Sequence, residues 1–77
     1  MKLEIISPEK VLYSGNAEMV TLPGMKGLFT ILDKHAPIIS GLNKGILTYR
    51  SEGKDITLEV DGGFVEAKND QITVCVE

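Results

Sequence analysis

The sequence predicts an all-β fold, a small β-sandwich of about eight to ten short, mostly antiparallel strands. Three observations carry this expectation. Apolar and polar residues alternate in short stretches, turn residues separate those stretches at spacings of roughly eight to twelve residues, and apolar spacing of the helical kind is scarce. Leu3 and Ile5 alternate with Lys2 and Glu4, and Ser7-Pro8 closes this first strand because proline removes a ladder donor. Val11 to Tyr13 is a short second piece, and Ser14-Gly15-Asn16 reads as a turn into Glu18 to Leu22, which Pro23-Gly24 ends. Gly27 opens the run Leu28 to Leu32, and Asp33-Lys34 reads as a turn before His35 to Ser40, a segment that Pro37 marks as an edge or a bulge. Asn43-Lys44-Gly45 leads into Ile46 to Arg50. Ser51 to Lys54 then turns the chain back into Ile56, Leu58 and Val60, which alternate with Thr57 and Glu59 as the clearest hairpin. Asp61-Gly62-Gly63 precedes Phe64 to Ala67, and Lys68-Asn69-Asp70 precedes Ile72, Val74 and Val76 alternating with Thr73, Cys75 and Glu77.

The 77 residues are expected to form a single domain over residues 1–77, with 43% hydrophobic and 25% charged residues as in an ordinary soluble globule. So short a chain buries only about 60% of the surface its unfolded form exposes, so a partner that covers more surface would add stability. Formal net charge is −3, and the eight Lys and Arg are spread singly from Lys2 to Lys68. No basic stripe exists for a phosphate backbone, which argues against nucleic acid. A lone cysteine, Cys75, cannot make an internal disulfide and fits the reducing cytosol. No run of 18 apolar residues occurs, so membrane association is expected through another protein and not by insertion.

Catalytic chemistry has few candidates. One His and one Cys, His35 and Cys75, are too few ligands for zinc; a Cys/His pair is geometrically possible, but Cys75 lies in an apolar alternating strand and reads as a buried, inert thiol. Glu4, Glu9, Glu18, Glu52, Glu59 and Glu66 mostly alternate with core positions and so point to solvent. The glycines at 24 and 27 and the pair Gly62-Gly63 are too sparse for a phosphate cradle and read as turns and bulges needing positive φ. No catalytic residue, cofactor or metal ligand is assigned. The least ordinary segment is Pro23 to Phe29, in which Met25, Leu28 and Phe29 could present apolar side chains to a partner.

Four motifs in order make the chain resemble the N-terminal domain of the epsilon subunits of F-type ATP synthases. They are Leu3 to Glu9 followed by Val11 to Gly15, the stretch Gly24 to Pro37 containing His35-Ala36-Pro37, Lys44-Gly45-Ile46-Leu47, and Gly62-Gly63-Phe64-Val65-Glu66 with the closing strand Ile72-Thr73-Val74. The resemblance implies a ten-stranded sandwich in the rotor's central stalk, structural and non-catalytic, that links the gamma subunit to the c ring and helps couple proton translocation to ATP synthesis. It also implies a hetero-oligomeric ATP synthase complex, peripheral on the cytoplasmic face of a bacterial inner membrane. By similarity, His35, Ala36, Pro37 and Ser40 would face the gamma subunit, and Met25, Lys26, Gly27 and Leu28 would form a loop on the c ring. Leu28 stands where many members carry a carboxylate, and Asp33-Lys34 replaces a common Pro-Gly, as a turn pair not expected to need the same backbone angles. Members commonly continue into a C-terminal helical hairpin; none is expected here, nor its inhibitory switch. Two rival readings are a general protein-interaction sandwich and a lipoyl-type carrier domain, the latter because Asp33-Lys34-His35-Ala36 approaches the modified Asp-Lys-Ala hairpin tip.

Overall fold

A computed structural model describes every residue, 1–77, and contains nine strands and no helix. They are β1 (Lys2–Ile6), β2 (Val11–Asn16), β3 (Met19–Gly24), β4 (Gly27–Leu32), β5 (Ile38–Leu42), β6 (Gly45–Ser51), β7 (Lys54–Val60), β8 (Gly63–Lys68) and β9 (Gln71–Val76). Hydrogen bonds link them in the order β2-β1-β9-β8-β5-β3-β6-β7, with β4 on the other edge of β3. This curled sheet folds its two halves face to face, β2-β1-β9-β8-β5 against β7-β6-β3-β4, and so forms a small β-sandwich. All pairings are antiparallel except β1 with β9, where the first and last strands run side by side from Lys2↔Gln71 to Ile6↔Cys75.

The bend between the halves lies in β3. Its first half pairs with β6 through Met19↔Arg50 to Thr21↔Thr48, while its last residue reaches β5 through Gly24↔Leu42. Pro23 sits between these two pairings, so its missing N–H removes no ladder bond, and its carbonyl accepts from the Asn43 N–H at 2.8 Å. Pro23 and Gly24 therefore continue the strand they were expected to end. The other seam is aromatic: the Tyr13 and Tyr49 rings lie 4.4 Å apart, the Tyr13 hydroxyl donates to the Asn16 carbonyl at 2.7 Å, and the Ser51 hydroxyl donates to the same oxygen at 3.1 Å. That pairing keeps Ser14 to Asn16 in β2, where a turn was expected.

Strand periodicity fills the space between the halves. Leu3, Ile5, Val65, Ala67, Ile72, Val74 and Val76 face inward from one side, and Val20, Leu22, Ile31, Leu47, Tyr49 and Val60 from the other. Each fully buried aliphatic side chain contributes about 1.5–3 kcal/mol. Ile56 was read as part of this alternation but is 40% exposed, because β7 is an outer strand of its half. Cys75 has the opposite parity to Val74 and Val76 and is half-buried on the outer face, not enclosed in the core. The nine strands also fall one short of the ten that the resemblance implied.

Two turns set backbone angles that sequence obscured. Lys34 has φ 61°, so Asp33-Lys34 does take the left-handed conformation that a Pro-Gly pair would accept more readily. Gly63 has φ 137°, and a Cβ there would collide with the Cys75 carbonyl and the Val76 backbone. Gly63→Ala is therefore expected to cost about 3 kcal/mol or more and lower Tm by about 10 °C or more, measured by thermal denaturation. A Tm within a few degrees of the parent would show that β8 and β9 are not in this register.

Candidate functional site

Register, read strand by strand, assigns every side chain of the β2-β1-β9-β8-β5 half to a face. On its outer face, Val11 lies opposite Ile6, Ile6 beside Cys75, Cys75 opposite Phe64, and Phe64 opposite Gly41. A Cβ on Gly41 would meet the Met25 side chain at 3.3 Å, so Met25 covers the end of this row. The row crosses five strands, roughly 20 Å at the usual spacing between strands. Val11 is 54% exposed, Phe64 50% and Met25 63%, and no charged residue interrupts them. The adjacent row, Ser14, Glu4, Thr73, Glu66 and Ile39, and the one after it, Asn16, Lys2, Gln71 and Lys68, carry the charges.

The residues singled out from sequence do not share one surface. His35, Ala36 and Pro37 occupy the connection between β4 and β5, with Pro37 just before the strand it was thought to mark as an edge or bulge. His35 is half-buried; its Nδ1 lies 3.1 Å from the Ala36 carbonyl, and its Nε2 is shielded without a hydrogen-bond partner. Ser40 lies opposite the buried Val65 and shares its inward parity, with its hydroxyl donating to the Gly41 carbonyl at 3.0 Å. Outward at this edge are Ile39, 79% exposed, and Gly41. The expected loop from Met25 to Leu28 is narrower: Met25-Lys26 is a two-residue turn, while Gly27 and Leu28 already belong to β4. Met25 turns toward the outer row of one half, and Leu28, 72% exposed, lies opposite Pro23 on the outer face of the other. There Pro23, Leu28, Gly45, Ile46 and Thr48 line a shallow groove of about 470 Å³. Phe64 is the residue that sequence reasoning passed over. Its signal was parity, since it alternates with Val65 and Ala67 directly after two glycines.

No three His, Cys, Asp or Glu side chains converge as a metal site. The strands flanking Lys34 pair with other strands, β4 with β3 and β5 with β8, so Lys34 does not cap a hairpin of the carrier-domain kind. No helix is long and apolar enough to cross a membrane. On the outer face of the β7-β6-β3-β4 half the Arg50 Nε donates to the Asp55 carboxylate at 2.7 Å across the hairpin. That hydrogen bond holds the Asp55 carboxyl below its ordinary value.

Fold and surface together describe a two-layer all-β module that displays a charge-free row across one sheet. The chain belongs to the family of the ATP synthase delta/epsilon chain beta-sandwich domain, whose profile matches residues 1–77. It is 43% identical over its whole length to the ATP synthase epsilon chain of Leptospira interrogans and 37% identical to that of Brevibacillus brevis. In these matches it spans 61% and 59% of the relatives' own lengths. Among solved structures it superposes with a TM-score of 0.90 on a chain of the Euglena gracilis mitochondrial ATP synthase OSCP/F1/c-ring assembly, at 19% identity over 96% of this chain and 48% of that one. A chain of the Tetrahymena thermophila mitochondrial ATP synthase central stalk and c-ring gives 0.82 at 20% identity, covering 97% and 61%. At such identities the likeness is one of fold.

Because the folded pKa of Asp55 is depressed, its contribution to stability is complete above the unfolded carboxylate value near 3.9 and is lost as pH falls through the folded value. Asp55→Asn is expected to flatten the loss of stability below about pH 4 in denaturant titrations across pH. An unchanged acid limb would place the coupling elsewhere.

Proposed function

We propose that the chain is the β-sandwich part of an ATP synthase epsilon subunit, a non-catalytic piece of the central stalk that joins the gamma subunit to the c ring. It would help couple proton movement to ATP synthesis, at the periphery of the membrane on its cytoplasmic face. The single observation that carries this reading is the charge-free row Val11, Ile6, Cys75, Phe64, Gly41 and Met25. Interface cores are depleted of charge and enriched in aromatic and Met side chains, and this row has both properties. Family membership supports an ATP synthase subunit as the partner.

In this reading the gamma subunit covers the outer row from Val11 to Gly41, and Met25 stands where that row meets the ring-facing corner. His35, Ala36 and Pro37 lie off the start of β5, beside the charged rows through Glu66 and Lys68 and not beside the charge-free row, while Ser40, by its inward parity, stabilises the edge more than it touches a partner. The corner formed by Met25, Lys26, Gly27 and Leu28 rests on the c ring, with Leu28 making an apolar contact in place of an ion pair. The two contacts are separable because Phe64 and Leu28 lie on outer faces of opposite halves.

Phe64→Glu puts a charge in the middle of the row without entering the core. Truncation of central interface residues costs about 2 kcal/mol or more, so binding to a purified gamma subunit is expected to weaken at least about thirtyfold by calorimetry, with Tm nearly unchanged. Leu28→Asp should leave gamma binding intact and impair seating on the ring. Unchanged gamma affinity in Phe64→Glu, or loss of the same partner in both variants, would overturn the assignment.

A further inference from the structure

The three strands that end the sheet's ladders differ in how well they are protected against further pairing. β7 carries Lys54, Asp55 and Glu59, and β2 has a break in register opposite Ile5 and Ile6. Charges and bulges of this kind blunt an edge. β4, Gly27-Leu28-Phe29-Thr30-Ile31-Leu32, has no charge, no proline and an unbroken register with β3 from Gly24↔Gly27 to Met19↔Leu32.

Which backbone groups of β4 are free follows from Pro23. Proline has no N–H, and its carbonyl is taken by Asn43 on the side away from β4, so Pro23↔Leu28 is a pair without mutual hydrogen bonds. By alternation, Thr21↔Thr30 and Met19↔Leu32 are of the same kind. Leu28, Thr30 and Leu32 therefore aim their N–H and C=O groups at the open edge. Their side chains point outward, Leu28 72% and Leu32 57% exposed.

We infer that this edge pairs with the β4 edge of a second copy of the chain, antiparallel and centred on Thr30. The strand is nearly a palindrome about that residue, with Phe29 and Ile31 flanking it on the inner face and Leu28 and Leu32 on the outer. Two-fold pairing sets Thr30 opposite the second copy's Thr30, and Leu28 opposite the second copy's Leu32. Every free backbone group of the three residues finds a partner. Thr57, Thr48, Thr21 and Thr30 form one row across the half, with the Thr21 and Thr30 hydroxyls 2.8 Å apart, and the row continues without a step into its counterpart. Charges begin only in the turns beyond β4, at Lys26 on one side and at Asp33 and Lys34 on the other, outside the five residues that pair. This self-association concerns the chain alone and does not depend on the stalk reading.

Sedimentation equilibrium over micromolar to submillimolar concentration tests it. The expected result is a species of twice the 8.4 kDa chain mass. Like charges directly opposite each other oppose strand pairing, so Thr30→Lys and Thr30→Asp should each weaken the dimer at least about tenfold, and an equimolar mixture of the two should restore it. Thr57→Lys, in the same row but on β7, should leave it intact. A monomer throughout the range, or a dimer equally strong in both Thr30 variants, would overturn the inference.

Discussion

Gly63 fixes the register on which both surfaces of the β2-β1-β9-β8-β5 half depend. Its α-carbon lies against the Cys75 carbonyl and the Val76 backbone, closer than any side chain permits. Val65 and Ala67 then fall on the core side with Val74 and Ile72, while Phe64 falls outside opposite Cys75. A slip of one residue would invert this, sending Phe64 into a space filled by Val65 and bringing the β-branched core to the surface. Because β8 also pairs with β5 and β9 with β1, the same constraint passes through the whole half and assembles the row from Val11 to Gly41.

The corner in β3 does for the other half what Gly63 does for this one. Pro23 cannot donate, and it lies where the pairing of β3 with β6 has ended and that with β5 has only begun, so the chain crosses between the layers without losing a hydrogen bond. The same missing donor decides which groups of β4 face outward. One residue type thus sets the bend, the groove beside Ile46 and the open edge. The two halves present different kinds of surface, one a row of side chains and the other a row of unpaired backbone, and they suit different contacts.

Much of this was legible in the sequence wherever the interaction is local. The hairpin from Gly45 to Val60 followed from alternation around Glu52-Gly53, and the closing strand from Ile72, Val74 and Val76. The all-β class and the strand count followed from the same pattern. What depended on distant partners did not. Nothing near Leu3 shows that β1 runs parallel to β9, and without that pairing Ile6 and Cys75 are unrelated. Ser14 to Asn16 has turn chemistry, yet Tyr13, Tyr49 and Ser51 hold it extended. Pro23 was a stop signal that lost its force because the ladder was already interrupted there. The candidate site suffered most: His35 and Ser40 stood out by motif, while Phe64, which stands at the centre of the outer row, needed register to be seen.

Cys75 offers a direct test of the central claim, since it is half-buried between Ile6 and Phe64 in the middle of that row and is the chain's one thiol. The measurement is the rate at which a small thiol reagent modifies Cys75 in the free chain and in the presence of saturating purified gamma subunit, the partner proposed above. If the outer row is the buried surface, the rate falls by at least an order of magnitude on binding. A complex in which Cys75 reacts as fast as in the free chain would contradict the account.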